Sequence, residues 1–166
     1  MSKQTIELIP EPLTAEAFRP FGDVIEATDA YELINSGTTQ KFADLATIDV
    51  STDGGRPCIS IYRATPYKLP LTIKMLERHP LGTQLFMPLQ SDPFLIVVAP
   101  PGDKVDHTSV RAFITNGRQG VNYHRGTWHH PLIAFGAPGE FMIVDRAGQA
   151  NCDELLLEVQ ALFIRA

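Results

Sequence analysis

The chain has 166 residues, 44% hydrophobic and 20% charged, and its 14 basic and 19 acidic residues leave a formal charge of −5. Such a length suits a single domain, 1–166, that can bury a core without disulfide or metal staples. With charges of both signs interspersed, no basic footprint for nucleic acid or an anionic membrane is present, and two distant cysteines, Cys58 and Cys152, exclude a disulfide framework or a cysteine zinc site. The start, Met1 to Glu7, lacks the apolar run of a signal peptide, and the longest apolar stretch, Phe94 to Ala99, is far below the ~20 residues that span a bilayer. The expectation is a soluble, cytoplasmic protein with two reduced thiols.

Taken in chain order, Thr14 can cap a short helix over Ala15 to Arg19 that Pro20 ends. The polar stretch Asn35 to Thr39 reads as loop. The Asp53-Gly54-Gly55 turn leads into a strand over Cys58 to Arg63, rich in β-formers and closed by Pro66. Leu71 to Arg78 is ambiguous between helix and strand; as a strand, its period of two puts Ile73, Met75, Glu77 and His79 on one side. Further strands are expected over Gln84 to Pro88, Phe94 to Val98, Val110 to Thr115, Leu132 to Phe135 and Phe141 to Val144. The last run, Leu155 to Ile164, fits helix or strand, with Val159, Phe163 and Ile164 tipping it toward strand. Short strands between turn residues argue for one all-β sandwich or barrel with one or two short helices.

All five histidines lie in the second half of the chain, and His124, His129 and His130 fall within Gly120-Val121-Asn122-Tyr123-His124-Arg125-Gly126-Thr127-Trp128-His129-His130-Pro131. Imidazole transfers protons near neutral pH and is the commonest metal ligand, so this glycine-flanked turn reads either as chemistry or as a polar loop whose rings satisfy backbone groups. A second group is Glu77-Arg78-His79-Pro80-Leu81-Gly82-Thr83-Gln84. If the turn brings Gln84 back beside Glu77 and His79, their nitrogen and oxygen atoms suit a first-row divalent metal with open positions, or bind substrate directly. Arg63 shares a strand face with Ile59 and Ile61, where its fork matches a carboxylate. Asp145-Arg146, closing its strand, reads at least equally as an internal ion pair.

These segments resemble cupins. Glu77-x-His79-x4-Gln84 occupies the first cupin motif and Gly120-x5-Gly126-x2-His129 the second, with glutamate where the first histidine belongs and glutamine where the acid belongs. More specifically, the chain resembles the ureidoglycolate lyase family of allantoin catabolism. The matching stretches are Ile61 to Pro66, Glu77 to Gly82, Gly120 to Pro131, Asp145-Arg146 and Asn151 to Glu154. The resemblance implies a cupin-like, jelly-roll type β-barrel that cleaves (S)-ureidoglycolate to glyoxylate and urea, assembled as a homodimer and helped by a divalent metal, nickel being named. On that reading Arg63, Gln84, Asn122 and Trp128 bind substrate, His124, His129 and Tyr123 carry the chemistry, and Glu77, His79, Gln84 and His129 hold any metal. The alternatives are another metal-dependent cupin enzyme, an isomerase or dioxygenase, and a non-catalytic cupin that binds a small acid.

Overall fold

The computed structural model describes residues 6–157 and 162–165. Two antiparallel sheets face each other. One runs in the order Gly22–Ile25, Gly120–Tyr123, Gln84–Pro88, Gly139–Ala147 and Arg56–Ala64. The other runs Asp153–Leu156, Met75–Arg78, Trp128–His129, Phe94–Ala99, Arg111–Ile114 and Glu11–Pro12, the last pairing in parallel, with Ile133–Ala134 also against Phe94–Ala99. A third, small sheet of Ile6–Leu8, Leu162–Ile164 and Leu71–Ile73 lies apart from both ladders. The expected all-β, cupin-like class is the observed one.

Phe94–Ala99 shows why the core has two parts. Every one of its residues is buried, as a strand covered on both faces must be. Phe94, Ile96 and Val98 point between the two large sheets, into a cluster with Phe18, Phe21, Phe113 and Phe141. Leu95, Val97 and Ala99 point the other way, into a cluster with Leu8, Ile73, Leu76 and Trp128. Edge-to-face contacts knit the first cluster, Phe18 on Phe113 at 5.5 Å and Phe94 on Phe141 at 5.2 Å between ring centroids.

The helix covers Ala15–Phe18, one residue shorter than expected, and the Thr14 hydroxyl accepts the Ala17 N–H at 3.2 Å. That cap seats Phe18, which is fully buried. Thr14→Ala is expected to lower unfolding stability by about 1 kcal/mol, read from urea denaturation, because an amide of the first turn loses its acceptor. An unchanged midpoint would show that the turn is held by Phe18 alone.

The loop expected over Asn35 to Thr39 is present as the tip of a hairpin between Glu32–Ile34 and Thr39–Lys41, with Asn35 and Ser36 at positive φ and only Thr39 already in a strand. The structure corrects other sequence expectations. The 71–78 segment is extended, but it breaks at Lys74: Leu71–Ile73 pairs with Leu162–Ile164, whereas Met75–Arg78 pairs with Asp153–Leu156. The break shifts the alternation, so Ile73 joins Leu76 in the core and does not share the face of Glu77. Half of the histidine-rich stretch is strand, Gly120–Tyr123 and Trp128–His129, with 124–127 turning between them. Gly126, at φ 75°, takes the left-handed conformation in that turn. Of the final run, Asp153–Leu156 and Leu162–Ile164 are strands, while 158–161, including Val159, lie outside the described residues.

Candidate active site

Side-chain alternation decides what enters the space between the sheets. His129 pairs with Val98, whose side chain points inward, and Glu77 lies directly opposite His129 on the next strand. Tyr123 pairs with Gln84, two positions before the inward-facing Phe86. Asp145 follows Phe141 and Ile143 at the same parity, opposite Cys58. Tyr62 lies across from Phe141. The result is a cavity of about 520 Å³ whose wall includes Tyr62, Glu77, His79, Gln84, Asp145, Arg146, Asn151 and Cys152, with Phe86, Pro131 and Leu132 as its apolar part.

Glu77, His79 and His129 form its chemical centre. Glu77 Oε1 lies 3.4 Å from His129 Nε2 and 3.7 Å from His79 Nε2, and the ring centroids of the two histidines are 5.2 Å apart. On each ring the other nitrogen faces a backbone carbonyl: His79 Nδ1 with Asn151 O at 2.7 Å, and His129 Nδ1 with Thr127 O at 3.0 Å. A carbonyl only accepts, so Nδ1 carries the proton on both rings, and in the neutral imidazole Nε2 keeps its lone pair. Both Nε2 atoms are buried and, among the described residues, without a hydrogen-bond partner. Tyr123 lies flat on His129, 4.3 Å between centroids and 11° between planes, which blocks rotation of that ring.

This donor set fits a cation. Two buried, unspent imidazole nitrogens and a carboxylate oxygen lie within 4.8 Å of one another. Ligands bound at about 2.0–2.2 Å around one ion are typically separated by about 3–3.5 Å, close to the spacing seen here. Carbonyl-oriented imidazoles are also the usual outer support of metal ligands. Gln84 stands beside this group, but its amide nitrogen donates to Asp145 Oδ2 at 3.3 Å, and its Oε1 is buried with no partner among the described residues.

The same groups set one another's protonation. Burial alone would raise the Glu77 carboxyl, but when the facing imidazoles of His129 and His79 carry a proton on Nε2 as well they hold it well below the usual carboxylate range. Burial works against a charged His79; Glu77 and the Asn151 carbonyl outweigh it and raise this imidazole. Burial, then the charges of Asp145 and Glu77, push the Tyr62 phenol up. The Tyr123 phenol is raised mainly by burial, with Glu77 adding to it. Burial and the neighbouring carboxylates of Glu77 and Glu154 push the Cys152 thiol up to about 11.

The expectation of a single cavity for Arg63, His79, Gln84, His124 and His129 therefore needs correction. His79, Gln84 and His129 share it with Glu77; Tyr123 lies behind His129. Arg63 does lie on a face with Ile59 and Ile61, but that is the outer face, where it is 81% exposed and forms a fork with Glu140 at 2.7–2.9 Å. His124 follows the end of its strand, pairs with Asp23 at 3.1 Å and lines a separate depression with Thr47, Asp49 and Arg125. Asn122 has the opposite parity to Tyr123 and is buried outside the cavity, donating to Asp23 and to Thr47 O. Trp128, opposite in parity to His129, packs in the Leu76 cluster with the Arg78 guanidinium 4.8 Å from its ring centroid.

Asp145 and Arg146 do not pair with each other. The guanidinium donates to the carbonyls of Gln149, Thr52 and Asp53, whereas Asp145 accepts from Cys58 and Gln84. Asp145, which the sequence offers as an ion-pair partner at least equally with catalysis, and Tyr62, which it does not single out, both line the cavity. The signal was alternation: one continues the inward face of Phe141 and Ile143, and the other has opposite parity to Arg63.

Fold and site together define a cupin-like β-barrel with two imidazoles and a carboxylate gathered on its inner wall. The chain belongs to the ureidoglycolate lyase family, whose model matches residues 5–164. It is 56% identical over 147 residues to a ureidoglycolate lyase of Pseudomonas fluorescens (strain Pf0-1), covering 87% of each chain. It is also 56% identical over 142 residues to one of Burkholderia mallei (strain NCTC 10229), covering 85% of this chain and 83% of that one. To a ureidoglycolate lyase of Pseudomonas fluorescens (strain SBW25) it is 53% identical over 162 residues, 96% of each chain.

Proposed function

We propose that the chain is a ureidoglycolate lyase, splitting (S)-ureidoglycolate into glyoxylate and urea during allantoin breakdown, with the reaction carried out in the cavity around Glu77. The observation that carries this reading is the pair of buried, unpartnered Nε2 atoms of His79 and His129 turned toward the Glu77 carboxylate. The relatives' shared name supplies the substrate.

One carbon of ureidoglycolate bears a carboxylate, a hydroxyl and a ureido nitrogen. Cleavage consumes no water: the hydroxyl loses its proton, its electron pair forms C=O, and the C–N pair leaves on nitrogen, which takes up a proton. Glu77 Oε2, the oxygen facing Cys152 rather than the imidazoles, receives the hydroxyl proton. Tyr62, kept protonated by burial and by the nearby carboxylates, holds a proton at Oη for the departing nitrogen. A positioned acid and base of this kind contribute about 10²–10⁴-fold. Phe86, Pro131 and Leu132 exclude water from one side, which strengthens these polar contacts.

The cavity places Glu77 and Asp145 carboxylates near an anionic substrate, while the terminal N–H groups of Arg146 donate to backbone carbonyls and, among the described residues, its Nε is buried without a partner. A divalent cation held by Glu77, His79 and His129, nickel being the one the resemblance implies, would offset that charge and supply Lewis acidity at the substrate hydroxyl. Arg63 and His124 take no part in this reading, because both lie outside the cavity.

The reading extends to a cytoplasmic homodimer. Cys58 and Cys152 are both free thiols, which suits a reducing compartment. The Arg56–Ala64 strand is a sheet edge whose outer face carries Ile59 and Ile61, 71% and 57% exposed, the kind of surface a second copy covers.

The test is glyoxylate release from freshly prepared ureidoglycolate, corrected for spontaneous decay. Release well above the blank is expected from the purified chain. No release, together with tight glyoxylate binding, would make the protein a passive acid-binding module instead.

A further inference from the structure

Resting on that reading, we infer that Asp145 is the residue that recognises the ureido end of the substrate and so determines specificity for it. Asp145 lines the cavity, and among the described residues no cationic side chain pairs with it. Among the described residues its two oxygens are each engaged once, by different donors. The Cys58 thiol donates to Oδ1 at 3.0 Å, and the Gln84 amide donates to Oδ2 at 3.3 Å. Neither donor is charged, and each oxygen has two lone pairs, so one remains on each.

That arrangement is complementary to a urea. The two nitrogens of a ureido group present parallel N–H bonds, which meet the two oxygens of one carboxylate as a guanidinium fork does. The carboxylate end of ureidoglycolate would be repelled at Asp145 and is directed instead to the Glu77, His79 and His129 side. Binding by both N–H bonds also aligns the C–N bond that breaks and keeps electron density on the nitrogen that must accept a proton.

Cys58 and Gln84 are positioning residues here. They come from strands on opposite sides of Gly139–Ala147, and together they fix the plane of the Asp145 carboxylate. Gln84 is buried, 6% exposed, so its amide has little freedom to turn away.

The two products probe the two ends of the site separately. Urea is expected to inhibit the wild-type enzyme competitively, and acetamide, which lacks the parallel pair, much less. In Asp145→Asn, inhibition by urea should weaken about tenfold or more, since a hydrogen bond to a charged group is replaced by a neutral contact. Inhibition by glyoxylate should stay within about twofold of wild type, a split that a general loss of structure would not produce. The KM for ureidoglycolate should rise by a factor similar to that for urea. Wild-type urea inhibition in Asp145→Asn, or equal weakening for urea and glyoxylate, would overturn the assignment. Should the variant fail to fold, the wild-type comparison decides: acetamide inhibiting as well as urea overturns it. If the wild-type chain releases no glyoxylate from ureidoglycolate, the functional reading fails and this inference falls with it; release with unaltered urea inhibition in the variant sinks the inference alone.

Discussion

Replacing His129 with asparagine is expected to lower kcat/KM for ureidoglycolate by at least about 100-fold, because even groups that merely orient such a side chain cost about 10–100-fold when lost. His129 is 1% exposed, pairs in register between Val98 and Glu77, and has Tyr123 stacked on its ring. Asparagine keeps a short polar donor for the Thr127 carbonyl but cannot place a nitrogen where Nε2 stands. Loss of the stack should cost about 0.5–1.5 kcal/mol, a modest fall in melting temperature with an unchanged circular dichroism spectrum. A folded variant with the wild-type rate would remove His129 from the site and leave Glu77 facing His79 alone.

The second large effect concerns the cation. Dialysis against a strong chelator should lower turnover by at least about tenfold, and nickel or another first-row divalent ion should restore it. Apo-protein titrated with nickel should take up one ion per chain. In His79→Ala and in Glu77→Gln that affinity should fall by at least about tenfold, because each removes one of three donors. Calorimetry or direct metal analysis reads this independently of activity. Full activity in chelator-treated protein, with no bound ion, would mean that the imidazoles and Glu77 act on the substrate directly. The raised His79 would then supply the positive charge that balances Glu77.

Much of the fold is legible in the residues. Strands that carry period-two patterns or continuous apolar runs, such as Gln84–Pro88 and Phe94–Ala99, appear at nearly the expected bounds because their burial leaves one stable arrangement. The convergence of Glu77, His79 and His129 is legible too, through two separate motifs. Less so is the direction each side chain takes, since that depends on which face of a sheet becomes interior. Arg63 illustrates it: its shared face with Ile59 and Ile61 reads as buried because isoleucines dominate it, yet that face is outermost and Tyr62 points inward instead. Trp128 and Asn122 fail similarly, each one residue away from an inward neighbour. The break at Lys74 has no local sequence signature at all; it arises where the chain changes ladder partners, a long-range event. Asp145 reads as the partner of its neighbour Arg146 in sequence, but adjacent residues on a strand point to opposite faces and rarely meet.

Quantifying both nitrogen products alongside glyoxylate bears most directly on whether this cavity breaks the C–N bond without water. Freshly made ureidoglycolate, turned over by the wild-type chain, should yield urea and glyoxylate in equal amounts, with ammonia no higher than in the enzyme-free blank. Glyoxylate accompanied by ammonia in place of urea would contradict elimination and require a hydrolytic site instead.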